Sequence, residues 1–253
     1  MSDLVLALIA GGTVGLALGA LGGGGSVLAV PALIYALGLD PAAATTASLL
    51  IVAATSLTAL YGHARAGRVR WRTGALFAAA GLIPAAAAGA AAARIPGPLL
   101  TAAFAGVAAL AAIGMLRPTR AETPHPAGEP GAVRPVRAAG TGAGLGAMTG
   151  LLGVGGGFLV VPALVTAMAF PMRAAVGTGL LVISANSLAA LATRGATLTG
   201  VDWSVIAPFA GAAILGAWDG GRLAARVSAT TLRRVFAALL LGVAALMLVD
   251  VLI

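Results

Sequence analysis

Two glycine clusters carry the residues best suited to chemistry in this chain: Gly22, Gly23, Gly24, Gly25 and Ser26 (GGGGS), and, further on, GVGGG with Gly153, Gly155, Gly156 and Gly157. Each is followed, after four intervening residues, by a proline, Pro31 or Pro162. Glycines in such density break a helix, and the helix that restarts beyond them leaves first-turn N–H groups unpaired at a positive dipole end. With no Cβ in the way, those amides can close on a ligand. Two converging N-termini of this kind would hold a compact anion without a buried cation. Small residues also serve close helix packing in membranes, but runs this rich in glycine sacrifice more helix propensity than packing asks for. Neither run has the strand or the lysine of a nucleotide-binding loop.

The segment after each break supplies polar side chains: Thr45, Thr46, Ser48, Thr55 and Ser56 in the first case, Thr178, Ser184, Asn186 and Ser187 in the second. Hydroxyl and amide groups suit oxyanion oxygens, although Ser and Thr also bond back to their own helix carbonyls. The candidate substrate-binding set is therefore Gly22 to Ser26, Thr46, Ser48, Thr55, Gly153, Gly155, Gly156, Gly157, Thr178, Asn186 and Ser187. Cysteine is absent, and no catalytic dyad, HExxH or metal-ligand cluster appears, so neither an enzyme nor a cofactor is expected. His63, beside four arginines at a helix end, reads as interfacial. Asp219 and Arg222 have the spacing of a helical ion pair, and Trp71 and Trp203 each open a helix as interface anchors do.

The elements that position these residues are membrane helices. Of 253 residues, 60% are apolar and 9% charged, against about 25% charged in a soluble domain. The apolar runs are long and unbroken, roughly the 20 residues a bilayer crossing needs, which excludes a β-barrel. All fifteen basic residues are arginine and lie mainly between the runs, where they orient the chain in a bilayer rather than bind nucleic acid. The N-terminus lacks the basic region of a secretory signal and reads as the start of the first membrane segment.

The chain is a duplication. Gly15 to Leu33 matches Gly146 to Leu164 at eleven of nineteen positions, an offset of 131 residues. Ser56 then matches Ser187 and, after one inserted residue, Trp71 matches Trp203 and Arg94 matches Arg226. The expected organisation is a first membrane repeat at 1–116, a Pro- and Arg-rich linker at 117–138 and a second repeat at 139–253. Helices are expected at 3–21, 27–38, 42–62, 73–94 and 98–116, then at 139–152, 158–169, 173–193, 203–225 and 229–250.

Arginine counting bears on topology. As one straight helix, residues 3 to 38 would be about 54 Å long, so the glycines must break it, either as a re-entrant hairpin or by a return across the bilayer. Both give each half an odd number of crossings and invert the second half relative to the first. Cytoplasmic loops, the linker among them, then hold every arginine except Arg94 and Arg194, thirteen against two. Parallel repeats with eight crossings would split them nine to six. The expected fold is thus an all-α, polytopic helix bundle of two inverted-topology repeats, each a glycine-broken helix or re-entrant hairpin followed by three helices.

The duplicated GGGGS-x4-P and GVGGG-x4-P segments, the stretches TTASLL and VGTGLL after them, and the Trp-initiated helices resemble the TauE/SafE family of sulfite exporter permeases. The resemblance covers nearly the whole chain outside the linker. It implies a multi-pass protein of the bacterial inner membrane that moves small sulfur-containing anions such as sulfite or organosulfonates, usually outward, with substrate contacts around Gly22 to Ser26, Gly153 to Gly157 and the polar helices. Val154 and Gly157 stand where the first half has Gly23 and Ser26, so a contact from Ser26 has no twin. The expected partners are a small anionic substrate and the lipid bilayer, with the oligomeric state open between a monomer and a homo-oligomer. A channel, or a permease for a small carboxylate or inorganic anion, is the alternative. With no obvious carboxylate in the membrane interior except Asp219 near a boundary, export is expected to draw on the membrane potential, about 2.3 kcal/mol per charge per 100 mV.

Overall fold

The computed structural model describes residues 2–39, 41–92, 97–116, 135–152, 157–193 and 203–252. These form ten α-helices, five from each half, and among the described residues there is no strand. In the first half α1 is Ser2–Leu21, α2 Gly24–Pro31, α3 Pro41–Arg65, α4 Trp71–Ala92 and α5 Gly97–Leu116. In the second, α6 is Pro135–Leu152, α7 Gly157–Thr166, α8 Met172–Thr193, α9 Trp203–Arg226 and α10 Ala229–Leu252. The expected linker overlaps α6 at 135–138, while 117–134 lies outside the described residues, as do Arg94 and Arg194.

Among the described residues, four helices are long and apolar enough to cross a membrane, with spans Leu4–Leu21, Thr46–Arg65, Met172–Leu191 and Ala229–Val249. Around the bundle, large apolar side chains such as Ile9, Ile83, Leu110 and Leu215 stand exposed, which suits a surface facing lipid rather than water. This is a multi-pass membrane protein.

The glycine breaks set the lengths of the inner helices. After Gly22, whose φ of +72° only glycine adopts without strain, α2 runs to Pro31. That proline has no N–H to give the ladder, and the chain widens into a π-helical turn over Ala32–Ala36. The two pieces together are about 20 Å long and α7, with ten residues, about 15 Å, so both are shorter than a hydrocarbon core of about 30 Å. Nearly every residue of α7 is buried.

Helices pair across the halves. α1 makes its most extensive contact with α9, and its counterpart α6 does so with α4, the counterpart of α9. Lipid offers no hydrophobic drive for this association, so it depends on close van der Waals approach over small residues. Gly11, Gly15 and Gly19 lie on one face of α1, four residues apart. A Cβ added to any of them would collide with the Phe209, Ala213 or Ala217 carbonyl of α9. On α6, Gly142 and Gly146 meet Phe77 and Gly81 of α4 in the same way. Under the repeat alignment Gly11 and Gly15 correspond to Gly142 and Gly146, and Phe209 and Ala213 to Phe77 and Gly81. The two seams are one arrangement used twice.

Equivalent helices also meet, α3 with α8, α5 with α10 and α2 with α7, and α3 packs on α9 as well. α3 and α8 run antiparallel, since mid-helix Ser56 meets Ser184 while Arg70, just past the end of α3, meets Thr178 near the start of α8.

Candidate functional site

The two glycine breaks come together. Gly23, immediately before α2, packs so closely on the first residues of α7 that an added Cβ would collide with the Gly157 carbonyl and lie 2.9 Å from the Phe158 Cα. Gly22 is enclosed by Val161 of α7 and Val176 of α8, whose methyls would stand 3.2 and 3.3 Å from its Cβ. The N-terminal ends of α2 and α7 are thus neighbours, one from each half. Gly24, Gly25 and Ser26 form the first turn of α2, described here by backbone alone, whereas Gly153, Gly155 and Gly156 lie outside the described residues.

The polar side chains of α3 and α8 are buried, but they do different things. Thr55 turns its hydroxyl back on its own helix, donating to the Ile51 carbonyl at 2.6 Å. Thr178 is fully buried and accepts a hydrogen bond from the Arg70 N–H at 3.1 Å. Since Arg70 caps α4, taking the Gly74 N–H on its carbonyl at 2.9 Å, and lays its guanidinium 4.8 Å over the Phe170 ring, Thr178 helps fasten the α3–α4 connection to the second half. Thr46 and Ser48 are buried and partnered.

At the crossing of α3 and α8, Ser56 Oγ and Ser184 Oγ are 2.9 Å apart, both buried. Each hydroxyl has one proton to give. Ser56 donates to the Ala53 carbonyl at 3.1 Å, and Ser184 donates either to Ser56 or to the Leu180 carbonyl at 2.8 Å. Three residues further along α8, Ser187 is 1% exposed and its hydroxyl has no partner, nor does the Oδ1 of Asn186 beside it. The repeat explains the asymmetry: Ser187 corresponds to Ser56, but the position corresponding to Ser184 is Ala53, which has no hydroxyl to offer. Buried polar atoms without partners are costly and rare in folded proteins.

Among the remaining expectations, Asp219 does pair with Arg222, at 3.4 Å on the exposed face of α9. Trp71 and Trp203 begin α4 and α9 and are exposed. His63, read as interfacial, is buried within the protein near the end of α3. It is 2% exposed, and its Nε2 would stand 4.0 Å from a Cβ at Gly221 of α9, an ordinary van der Waals distance. The stacking of Tyr61 on Trp218, with ring centroids 6.3 Å apart, was not anticipated, because it joins residues of different halves with no local signal.

Comparison with known proteins places this architecture. The family described as sulfite exporter TauE/SafE matches residues 7–247. Two proteins of Xylella fastidiosa, from strains 9a5c and Temecula1, are each described as a probable membrane transporter protein. They are 36% and 35% identical to this chain over 248 residues, covering 96% of it and 94% of each relative. A Bacillus subtilis protein, the probable membrane transporter protein YunE, is 35% identical over 85 residues, 33% of this chain and 29% of its own. No solved structure matches. The chain belongs to the sulfite exporter TauE/SafE family of membrane transporters.

Proposed function

We propose that this protein is a secondary transporter that exports a small sulfur-containing anion, sulfite or an organosulfonate, across the bacterial inner membrane. The observation that carries the reading is the contact of Gly23 with Gly157, which brings together the N-terminal ends of two short helices from different halves. Two dipole ends and their first-turn amides make an anion site without a buried cation, strong enough to select charge and weak enough to release it. The Ser187 hydroxyl, unpaired in the same bundle, and the NH2 of the Asn186 amide beside it are donors for oxyanion oxygens. Thr46, Ser48 and Gly24 to Ser26 lie on the elements around them, and Gly153 to Gly156 complete the second break in this reading.

In this proposal the halves are inverted repeats with odd numbers of crossings, and the linker is cytoplasmic. The antiparallel crossing of α3 and α8 supports it, because an axis normal to the membrane would leave equivalent spanning helices parallel. The arginine distribution supports it independently. Outward movement of an anion is then favoured by a negative interior, by about 2.3 kcal/mol per charge per 100 mV.

The test is efflux from proteoliposomes loaded with labelled sulfite or sulfoacetate. The expected result is saturable flux of at least one of these anions, accelerated by the same anion on the opposite side and by an interior-negative potential. Flux that rises linearly with concentration and shows no counterflow identifies a channel instead, and flux indifferent to voltage removes the proposed driving force.

A further inference from the structure

A second place in the molecule has the chemistry of an anion receptor, apart from the glycine breaks. Where α3 and α9 end together, a cleft of about 310 Å³ opens between them. Tyr61 and Trp218 stack at its mouth, with planes 20° apart, and both are about half exposed. Arg65 places its guanidinium 5.7 Å from the Tyr61 centroid and donates to the tyrosine hydroxyl at 3.2 Å, while Arg222 sits 5.4 Å from the Trp218 centroid. Arg68 completes the basic wall, and among the described residues no carboxylate lines the cleft. The nearby Asp219 is well exposed on the α9 surface, 3.4 Å from Arg222.

The inner wall carries His63. Its ring is buried with neither nitrogen in a full hydrogen bond, although the Gly19 backbone interacts with it. An imidazole buried in this way is a donor waiting for an acceptor. Three guanidinium groups around it specify an anion, and guanidinium groups are well shaped for phosphate oxygens.

The surroundings choose between a soluble anion and a lipid. On one face of α3, Leu57, Tyr61 and Arg65 follow at four-residue steps, and on the facing side of α9, Leu215, Trp218 and Arg222 follow at steps of three and four. Leu57 and Leu215 are exposed. Both helices therefore read apolar, aromatic, cationic toward the same end of the bundle, which is the order of acyl chain, interface and headgroup in a bilayer leaflet. A free phosphate would use the arginines and leave the exposed apolar track unused.

We propose that this cleft binds an anionic phospholipid, with its phosphate held by Arg65, Arg68 and Arg222, with His63 donating from the inner wall and an acyl chain laid along Leu57 and Leu215. Since α3 belongs to the first half and α9 to the second, the bound lipid bridges the two repeats. The site is separate from the proposed transport site and does not depend on it.

The test uses full-length protein carrying Trp71→Phe and Trp203→Phe, which leaves Trp218 as the single tryptophan. In nanodiscs, brominated phosphatidylglycerol is expected to quench Trp218 at least twofold more than brominated phosphatidylcholine at the same mole fraction. Adding Arg65→Gln and Arg222→Gln removes that preference, whereas Arg72→Gln, an exposed position outside the cleft, keeps it. Native mass spectrometry of the protein with all its tryptophans provides a check that needs no tryptophan replacement: phosphatidylglycerol remains bound, and is lost with the two glutamines. Equal quenching by both lipids, a preference that survives the double substitution, or no retained phosphatidylglycerol overturns the proposal. Full reversal of quenching by millimolar inorganic phosphate overturns the lipid assignment in favour of a soluble anion.

Discussion

The seams at the flanks of the bundle and the crossing at its centre treat the duplication differently. At the seams the halves are copies: Gly11 and Gly15 take the carbonyls of Phe209 and Ala213, and Gly142 and Gly146 take those of Phe77 and Gly81. At the crossing the copies diverge, for Ser56 is paired with Ser184 while its equivalent Ser187 has no partner, the position equivalent to Ser184 being Ala53. Backbone-to-backbone contact tolerates almost no drift, because any added atom separates two helices along their length. A hydroxyl pair tolerates the loss of one member at the modest cost of an unpaired group, and that tolerance is where a symmetric frame can acquire an asymmetric site.

Breaking the seams should have the largest effect. In Gly15→Leu and Gly146→Leu the new side chain meets backbone rather than a movable side-chain tip, and neither helix can move aside without giving up its whole contact. Both variants are expected to yield no monodisperse protein on size exclusion in detergent. Gly144→Leu, two residues away where an added Cβ has nothing within 4 Å, should purify normally. A folded, transporting Gly146→Leu protein would show that the seam is not a backbone contact.

Much of this frame was legible in the chain before any coordinates. The glycine clusters, prolines and arginines that interrupt the apolar runs lie where helices end, so α1, α5 and α8 fall within one residue of their expected bounds at both ends. Inter-helix partners were not legible. The spacing of Gly11, Gly15 and Gly19 shows a face fit for close packing, but nothing in α1 names α9 as its partner. Nor was the burial of His63 legible: its neighbours in sequence are arginines, and the α9 backbone near it, at Gly221, is 158 residues away. Of the candidate site, the two breaks and their repeat relation were legible, but not whether their tips meet. The division of the hydroxyls into self-bonded Thr55, fastening Thr178 and unpaired Ser187 was not, because a hydroxyl's partner is decided by packing.

The centre can be sharpened with smaller changes. Asn186→Leu is expected to lower transport roughly 10- to 100-fold, the value of one or two hydrogen bonds to a charged ligand, with the protein still monodisperse. Thr55→Val, at the equivalent position on α3, removes only a hydroxyl bonded to its own helix and should leave the rate within about twofold, since such a bond adds little to the helix. Ala53→Ser restores the partner that the repeat lacks. It should raise stability by about 1 kcal/mol, seen as a higher thermal midpoint, while slowing transport severalfold because the Ser187 hydroxyl becomes occupied. A faster transporter would mean that Ser187 does not meet the substrate.

The smallest effect is expected where the halves again share a geometry but not a residue. The π-helical turn after α2 closes with the Leu39 N–H on the Leu33 carbonyl at 3.1 Å, and α7 closes with the Phe170 N–H on the Leu164 carbonyl at 2.9 Å. Between them lie the equivalent residues Gly38, with φ +65°, and Ala169, with φ +53°. Glycine takes that left-handed conformation freely, whereas alanine sets its Cβ against the following carbonyl at a cost of roughly 1–2 kcal/mol. Ala169→Gly relieves this strain and loosens the unfolded chain by about 0.5–1 kcal/mol. The net expectation is therefore a gain of up to about 1 kcal/mol, read as a rise of a few degrees in the thermal midpoint with transport unchanged. The reverse exchange, Gly38→Ala, lacks any strain to relieve and should lower the midpoint by a similar amount. If both substitutions moved the midpoint in the same direction, the two closures would not be equivalent, and the duplication would end before Gly38 rather than running through it.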